Sequence, residues 1–184
     1  MKEIAERQRM VTWEDPMAGV EAAAKMSGLE YLRAIARGEL PTAPMADLIG
    51  FDFSEIEEGR VVFECTPAEY HYNPIGAVHG GLACTLLDSA MGCALHTVLP
   101  AGTGYTTLEL KANLLRPITV DSGILRCEGH PIHVGGRVAT AEARLTDESG
   151  ILYAHATSTL MVFRPKKNSP DGDAEGEPGA VGAS

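Results

Sequence analysis

Residues 82–99, from Leu82 to Leu99, read LACTLLDSAMGCALHTVL, and this stretch decides the fold. Asp88 is its only Asp, Glu, Lys or Arg. As a membrane span the stretch is too short and too polar. Asp88 would sit near the bilayer midplane at a cost of roughly 2.5–3.5 kcal/mol, and Gly80-Gly81 and Pro100 flank it without basic anchors. A helix that is apolar around its whole circumference is one that the rest of a globular chain wraps. We therefore expect a central helix over about 80–98, closed by Pro100-Ala101-Gly102-Thr103-Gly104.

The remainder of the 184 residues supplies the wrapping. With 45% hydrophobic and 22% charged residues the chain can bury one sizeable core but is short for two. Fifteen Lys+Arg against twenty-five Asp+Glu give a net charge of -10, the wrong sign for a nucleic-acid binder, so no nucleic-acid partner is expected. Cys65, Cys84, Cys93 and Cys127 show no CxxC spacing and read as reduced thiols of a cytoplasmic protein. Among the histidines, His130 and His133 fall on opposite faces of a strand, so neither a metal site nor a cofactor is expected. The N-terminus MKEIAERQRM lacks the apolar run of a secretory signal.

Around the central helix the pattern changes period. Asp15-Pro16 and the capping box Ser27-x-x-Glu30 predict two short helices over 15–38, ended by Gly38, Pro41 and Pro44. Phe51 and Phe53, a turn at Glu58-Gly59, and Val61, Phe63 and Cys65 then predict a hairpin. After the helix come four alternating runs. They are Thr106/Leu108/Leu110/Ala112/Leu114, Ile124 to His133, Ala139/Ala141/Ala143/Leu145, and Leu152 to Phe163. The reading is α+β, an antiparallel sheet wrapped around one long helix. The divisions expected are a helical extension over 1–42, the main domain over 43–164, and a Pro- and Gly-rich disordered tail over 165–184.

Unusual residues concentrate in Asn73-Pro74-Ile75-Gly76-Ala77-Val78-His79-Gly80-Gly81, with Asp88 seven residues on. Two glycines are costly at a helix start unless something approaches the backbone closely. Free amides there attract developing negative charge, so Gly80 and Gly81 can polarise a carbonyl; they can equally serve a tight strand contact. A lone carboxylate in an apolar helix is expensive unless bonded or set in a cleft, so Asp88 is a functional candidate, or an acid facing out through a gap in the sheet. His79 is a possible base or a local hydrogen-bonder. Serine hydrolysis has no G-x-S-x-G, and Cys84 has no histidine base in view.

The run Asn73-x-x-Gly76-x-Val78-His79-Gly80-Gly81-x6-Asp88, the ββαββββ order and Leu114-Leu115-Arg116-Pro117 are together similar to hotdog-fold acyl-CoA thioesterases of the phenylacetic-acid-degradation (PaaI-like) type, over roughly residues 43–164. The resemblance implies hydrolysis of acyl-CoA thioesters. It makes Asp88 the general base or nucleophile, Asn73 and the Gly80 amide the holders of the thioester oxygen, and a hydroxyl at the level of Thr106 the aid that positions water. His79 and Gly81 would line the substrate, and Arg116, Arg137 and the Arg164/Lys166/Lys167 cluster are the cations available to coenzyme A phosphates. The helices over 15–38 lie outside the shared pattern, as an added cap.

Spacing along the helix adds an expectation about assembly. Gly80 and Asp88 are eight residues, about 12 Å, apart on one helix, too far to act on one carbonyl. Two antiparallel helices across a two-fold axis would join Gly80 of one chain to Asp88 of the other, giving a homodimer with shared sites and, by pairing of dimers, a homotetramer. A hotdog enoyl-CoA hydratase is the alternative enzyme, but Asn73-Pro74-Ile75 runs into Gly76 where its D-x-N-P-x-H loop has histidine. A non-catalytic acyl-CoA-binding module would need a basic recognition helix, and acidic residues outnumber basic ones over 1–40.

Overall fold

A computed structural model describes residues 6–163; the expected tail over 165–184 lies outside them. The elements are helices α1 (Met17–Ala23), α2 (Gly28–Ala36) and α3 (Pro44–Ile49), strands β1 (Phe51–Glu57) and β2 (Arg60–Cys65), and helix α4 (Gly80–Thr97). Strands β3 (Gly104–Leu114), β4 (Leu125–Val134), β5 (Val138–Asp147) and β6 (Leu152–Phe163) follow. The six strands form one antiparallel sheet in the order β1-β2-β4-β5-β6-β3. The chain therefore crosses over after α4: β3 joins β6 at the far edge, and β4 returns to pair with β2. Neighbours in sequence are not neighbours in the sheet at two steps, β2 to β3 and β3 to β4, because α4 carries the chain across the sheet to its far edge.

Leu86, Leu87, Ala90, Met91, Ala94 and Leu95 of α4 are fully buried against Val61, Phe63, Leu125, Cys127, Ala141, Leu145 and Leu160 of the sheet. Gly129 on β4 lets the two backbones touch: a Cβ there would stand 2.4 Å from the Ala90 carbonyl. The outer face of β1, β2 and β4 is polar. Arg60 bonds Glu55 and Glu128 at 2.7 and 2.8 Å, and Arg126 bonds Glu55 and Glu64. Glu55 is held below the usual carboxylate range by those hydrogen bonds from Arg60 and Arg126.

Helix α2 is part of the core. The Ser27–Glu30 capping box forms as expected, the Glu30 carboxylate accepting the Ser27 N–H at 3.0 Å. Leu32 and Ile35 of α2 join the main hydrophobic cluster. Gly28 donates to the Leu99 carbonyl at 3.0 Å, and its lack of a side chain is essential, since a Cβ would lie 1.8 Å from the His96 carbonyl oxygen. One expectation fails here. Pro44 does not merely end the helical region; it opens α3 at its first turn, where proline's missing N–H is no loss.

Candidate active site

The sheet covers most of α4 but leaves one stripe uncovered. Gly81, Thr85, Asp88, Gly92 and His96 recur at steps of three and four, flanked by Cys84, Ser89 and Cys93. All of these except buried Gly92 and exposed Gly81 are half-buried. The helix therefore has a polar face after all, a narrow one of small and titratable residues.

Asp88 stands midway along this stripe, and the Thr107 hydroxyl donates to its Oδ1 at 2.8 Å. Thr106, the hydroxyl expected to position water, is on the other face and exposed. The reason is a β-bulge. Thr107 pairs with Leu160 and Glu109 with Thr159, so Leu108 is an extra residue without a partner. Before it the inward residues are Tyr105 and Thr107; after it they are Leu110 and Ala112.

At the N-terminus of α4, His79 is the cap, and its Nδ1 accepts the Gly81 N–H at 2.9 Å. Gly81's amide is thereby occupied, whereas the Gly80 N–H has no partner among the described residues. The Leu114 side chain lies over Gly80, its Cδ1 2.7 Å from where a Cβ would stand. The Asn73 side-chain oxygen accepts N–H bonds from Ile75 and Ala77 at 3.0 and 3.3 Å, which folds the loop into an Asx turn and leaves its NH₂ without a partner among the described residues. Asn73, His79, Gly80 and Gly81 form one cluster, Asp88 and Thr107 another.

The second cluster opens into a cavity of about 780 Å³ between α4, β1, β3 and the N-terminal helices. Its walls are mostly apolar, from Val20 and Ala23 of α1, Ala24 just beyond it, Leu32 and Ile35 of α2, and Phe51 and Phe53 of β1. Beyond Asp88 the α4 stripe continues along it through Gly92 and Cys93 to His96. Gly92 makes room for Tyr105, whose ring carbon would be 2.9 Å from a Cβ. Burial pushes the Cys93 thiol up to about 12, so Cys93 is no nucleophile. His96 lies between the rings of Tyr31 and Tyr105, at 5.6 and 5.4 Å, and burial holds its imidazole below the usual histidine range. Sequence reading missed this wall, although Gly92 and His96 continue Asp88 at four and eight residues.

A family model described as the thioesterase superfamily matches residues 75–154. A protein of Saccharolobus solfataricus named as an esterase is 32% identical over 111 residues, 60% of this chain and 77% of that protein. The chain belongs to the thioesterase superfamily. Its fold is the hotdog fold. A phenylacetic acid degradation-related protein of Ralstonia eutropha, titled a thioesterase, superposes with a TM-score of 0.65 at 28% identity, covering 71% of this chain and 98% of that one. A Streptococcus mutans protein bound to acetyl CoA superposes with a TM-score of 0.57 at 26% identity, covering 64% and 91%.

In this thioesterase the two arginines expected to meet phosphates lie outside the cavity. Arg116 follows β3 at the α4 N-terminal end and donates to the Leu152 carbonyl at 3.1 Å. Arg137 is exposed in the β4–β5 turn; Arg164, Lys166 and Lys167 fall outside the described residues. Among the described residues no His, Cys, Asp or Glu group is arranged to hold a metal, and no helix is long and apolar enough to cross a membrane.

Proposed function

We propose that this thioesterase hydrolyses acyl-CoA thioesters to the free acid and coenzyme A, with Asp88 as general base. The observation that carries the reading is Asp88 itself, a carboxylate on an apolar helix, fixed through one oxygen by Thr107 and open to a cavity of acyl size. Its second oxygen takes the proton of a water as that water's oxygen bonds to the thioester carbon. The carbonyl electrons move onto oxygen, held by the Gly80 N–H and the Asn73 NH₂; each such donor typically contributes about 10²–10³ in rate. Collapse breaks the C–S bond, and the departing thiolate takes the proton from Asp88.

The oxygen holders and the base belong to different chains in this mechanism. Gly80 and Asp88 are about 12 Å apart along α4, whereas both must lie within about 3–3.5 Å of the reacting group. Strand β3 supports the pairing. It is a sheet edge, with Leu108, Leu114 and Leu115 exposed along it and at its exit, and an unpaired apolar edge invites a second strand. Two β3 edges joined across a two-fold axis run antiparallel and carry their α4 helices antiparallel too.

Asp88→Asn keeps the shape and removes the proton acceptor. Thiol release from a panel of aryl- and fatty-acyl-CoAs should fall by about 10³ or more in this variant. Near-native turnover by a folded Asp88→Asn protein would overturn the assignment.

A further inference from the structure

The cavity beyond Asp88 is lined mostly by apolar residues, and Tyr31 and His96 are among its polar ones. From Asp88 to His96 is eight residues, about 12 Å along the helix. An extended chain advances about 1.2 Å per bond, judged from the polypeptide's own reach, so about eight to ten carbons bring an acyl tip from Asp88 to His96. Val20, Ala24, Leu32, Ile35, Phe51 and Phe53 accompany it.

At the far end the His96 ring nitrogens and the Tyr31 hydroxyl have no hydrogen-bond partner among the described residues. No side-chain polar atom that is sealed from open space among those residues lacks a partner, so these groups are open to space, and both residues line the cavity. A methyl tip packed against them would leave them unpaired where a hydroxyl would pair with them, and a site built to hydrogen-bond discriminates against an analogue lacking the group. The charge of the tip follows from the lining, which holds Asp52 and Asp88 and, among the described residues, neither Lys nor Arg. A terminal carboxylate would be repelled. The imidazole is neutral because burial lowers its pKa, so it offers one donor and one acceptor.

We infer that the acyl group taken by this cavity is an extended chain of about eight to ten carbons ending in a neutral hydroxyl, read by His96 and Tyr31 about 12 Å from Asp88. The inference rests on Asp88 marking the thioester end. It also explains why the N-terminal helices pack where they do, since α1 and α2 supply the wall that a longer, tipped chain requires, and Tyr31 belongs to α2.

The matched pair decanoyl-CoA and 10-hydroxydecanoyl-CoA tests it. Wild-type kcat/KM should favour the hydroxylated thioester by about 10-fold, the worth of one or two net hydrogen bonds. Tyr31→Phe and His96→Phe should each shrink that ratio toward one. Both substrates are measured on the same variant, so a general loss of activity cancels. Calorimetric titration of the neutral amides, decanamide and 10-hydroxydecanamide, repeats the comparison without turnover. A ratio near one in both measurements, with hydrolysis intact, overturns the tip assignment and leaves thioester hydrolysis standing. Tighter binding of the hydroxy amide, with no acyl-CoA hydrolysed, upholds the tip assignment and overturns the hydrolytic reading.

Discussion

Leu108 is the residue that determines which threonine meets Asp88. Period-2 alternation puts Thr106, Leu108, Leu110, Ala112 and Leu114 on one face, and nothing local marks Leu108 as skipped. A bulge is fixed by pairing with β6, a strand about fifty residues away, so local pattern cannot show it. The two threonines therefore make a sharp comparison. Thr107→Ala removes a hydrogen bond to a charged group, worth about 1.5–3 kcal/mol, and should lower kcat/KM by about 10- to 100-fold. Thr106→Ala, at an exposed position, should stay within about two-fold of wild type. Steady-state assays on both folded variants check this, and a loss confined to Thr106→Ala would return the water-positioning role to that residue. Asp88, by contrast, was legible at once, because one carboxylate in a long apolar run is costly unless used.

At the scale of elements, the central helix and hairpin were legible for the same physical reason: burial on one face imposes a period that sequence displays. The helix α3 was not, because six residues beginning with proline carry too few turns to show periodicity, and Pro44 reads equally as a stop or a start. Nor was the polar stripe of α4, since glycine, serine and cysteine count as neutral in a hydropathy reading. Contact between elements was legible still less. Gly129 looks like an ordinary weak point in a strand, yet it is where β4 and α4 touch backbone to backbone. Gly129→Ala sets a Cβ 2.4 Å from a carbonyl that cannot rotate away, so the helix must lift from the sheet. A loss of about 1–3 kcal/mol is expected in denaturant unfolding, the usual cost of overpacking. Gly136→Ala is the matched control, with nothing within 4 Å of its Cβ, and should change stability by no more than about 0.5 kcal/mol. Equal stability of the two variants would mean that α4 is not seated as described.

At the scale of the molecule, the proposed site is divided between two chains. Asn73 and Gly80 lie at the N-terminal end of α4 and Asp88 at its middle, and no bending of a packed helix brings them to one carbonyl. If the proposed dimer forms the site, Asn73→Ala and Asp88→Asn homodimers should each be nearly inactive. Their heterodimer should recover activity. One of its two sites takes intact Asn73 from the Asp88→Asn chain and intact Asp88 from the Asn73→Ala chain, while the other site is doubly defective. Random pairing makes half of the dimers mixed, and each mixed dimer has half its sites restored, so co-expression should return about a quarter of wild-type activity per chain. A site contained within one chain predicts no such recovery, because every chain in the mixture then carries a damaged site. Mass measurement establishes that heterodimers are present. Activity no greater than the sum of the two parents in that sample would refute the shared site, whereas recovery near a quarter would tie the catalytic unit to a pair of chains.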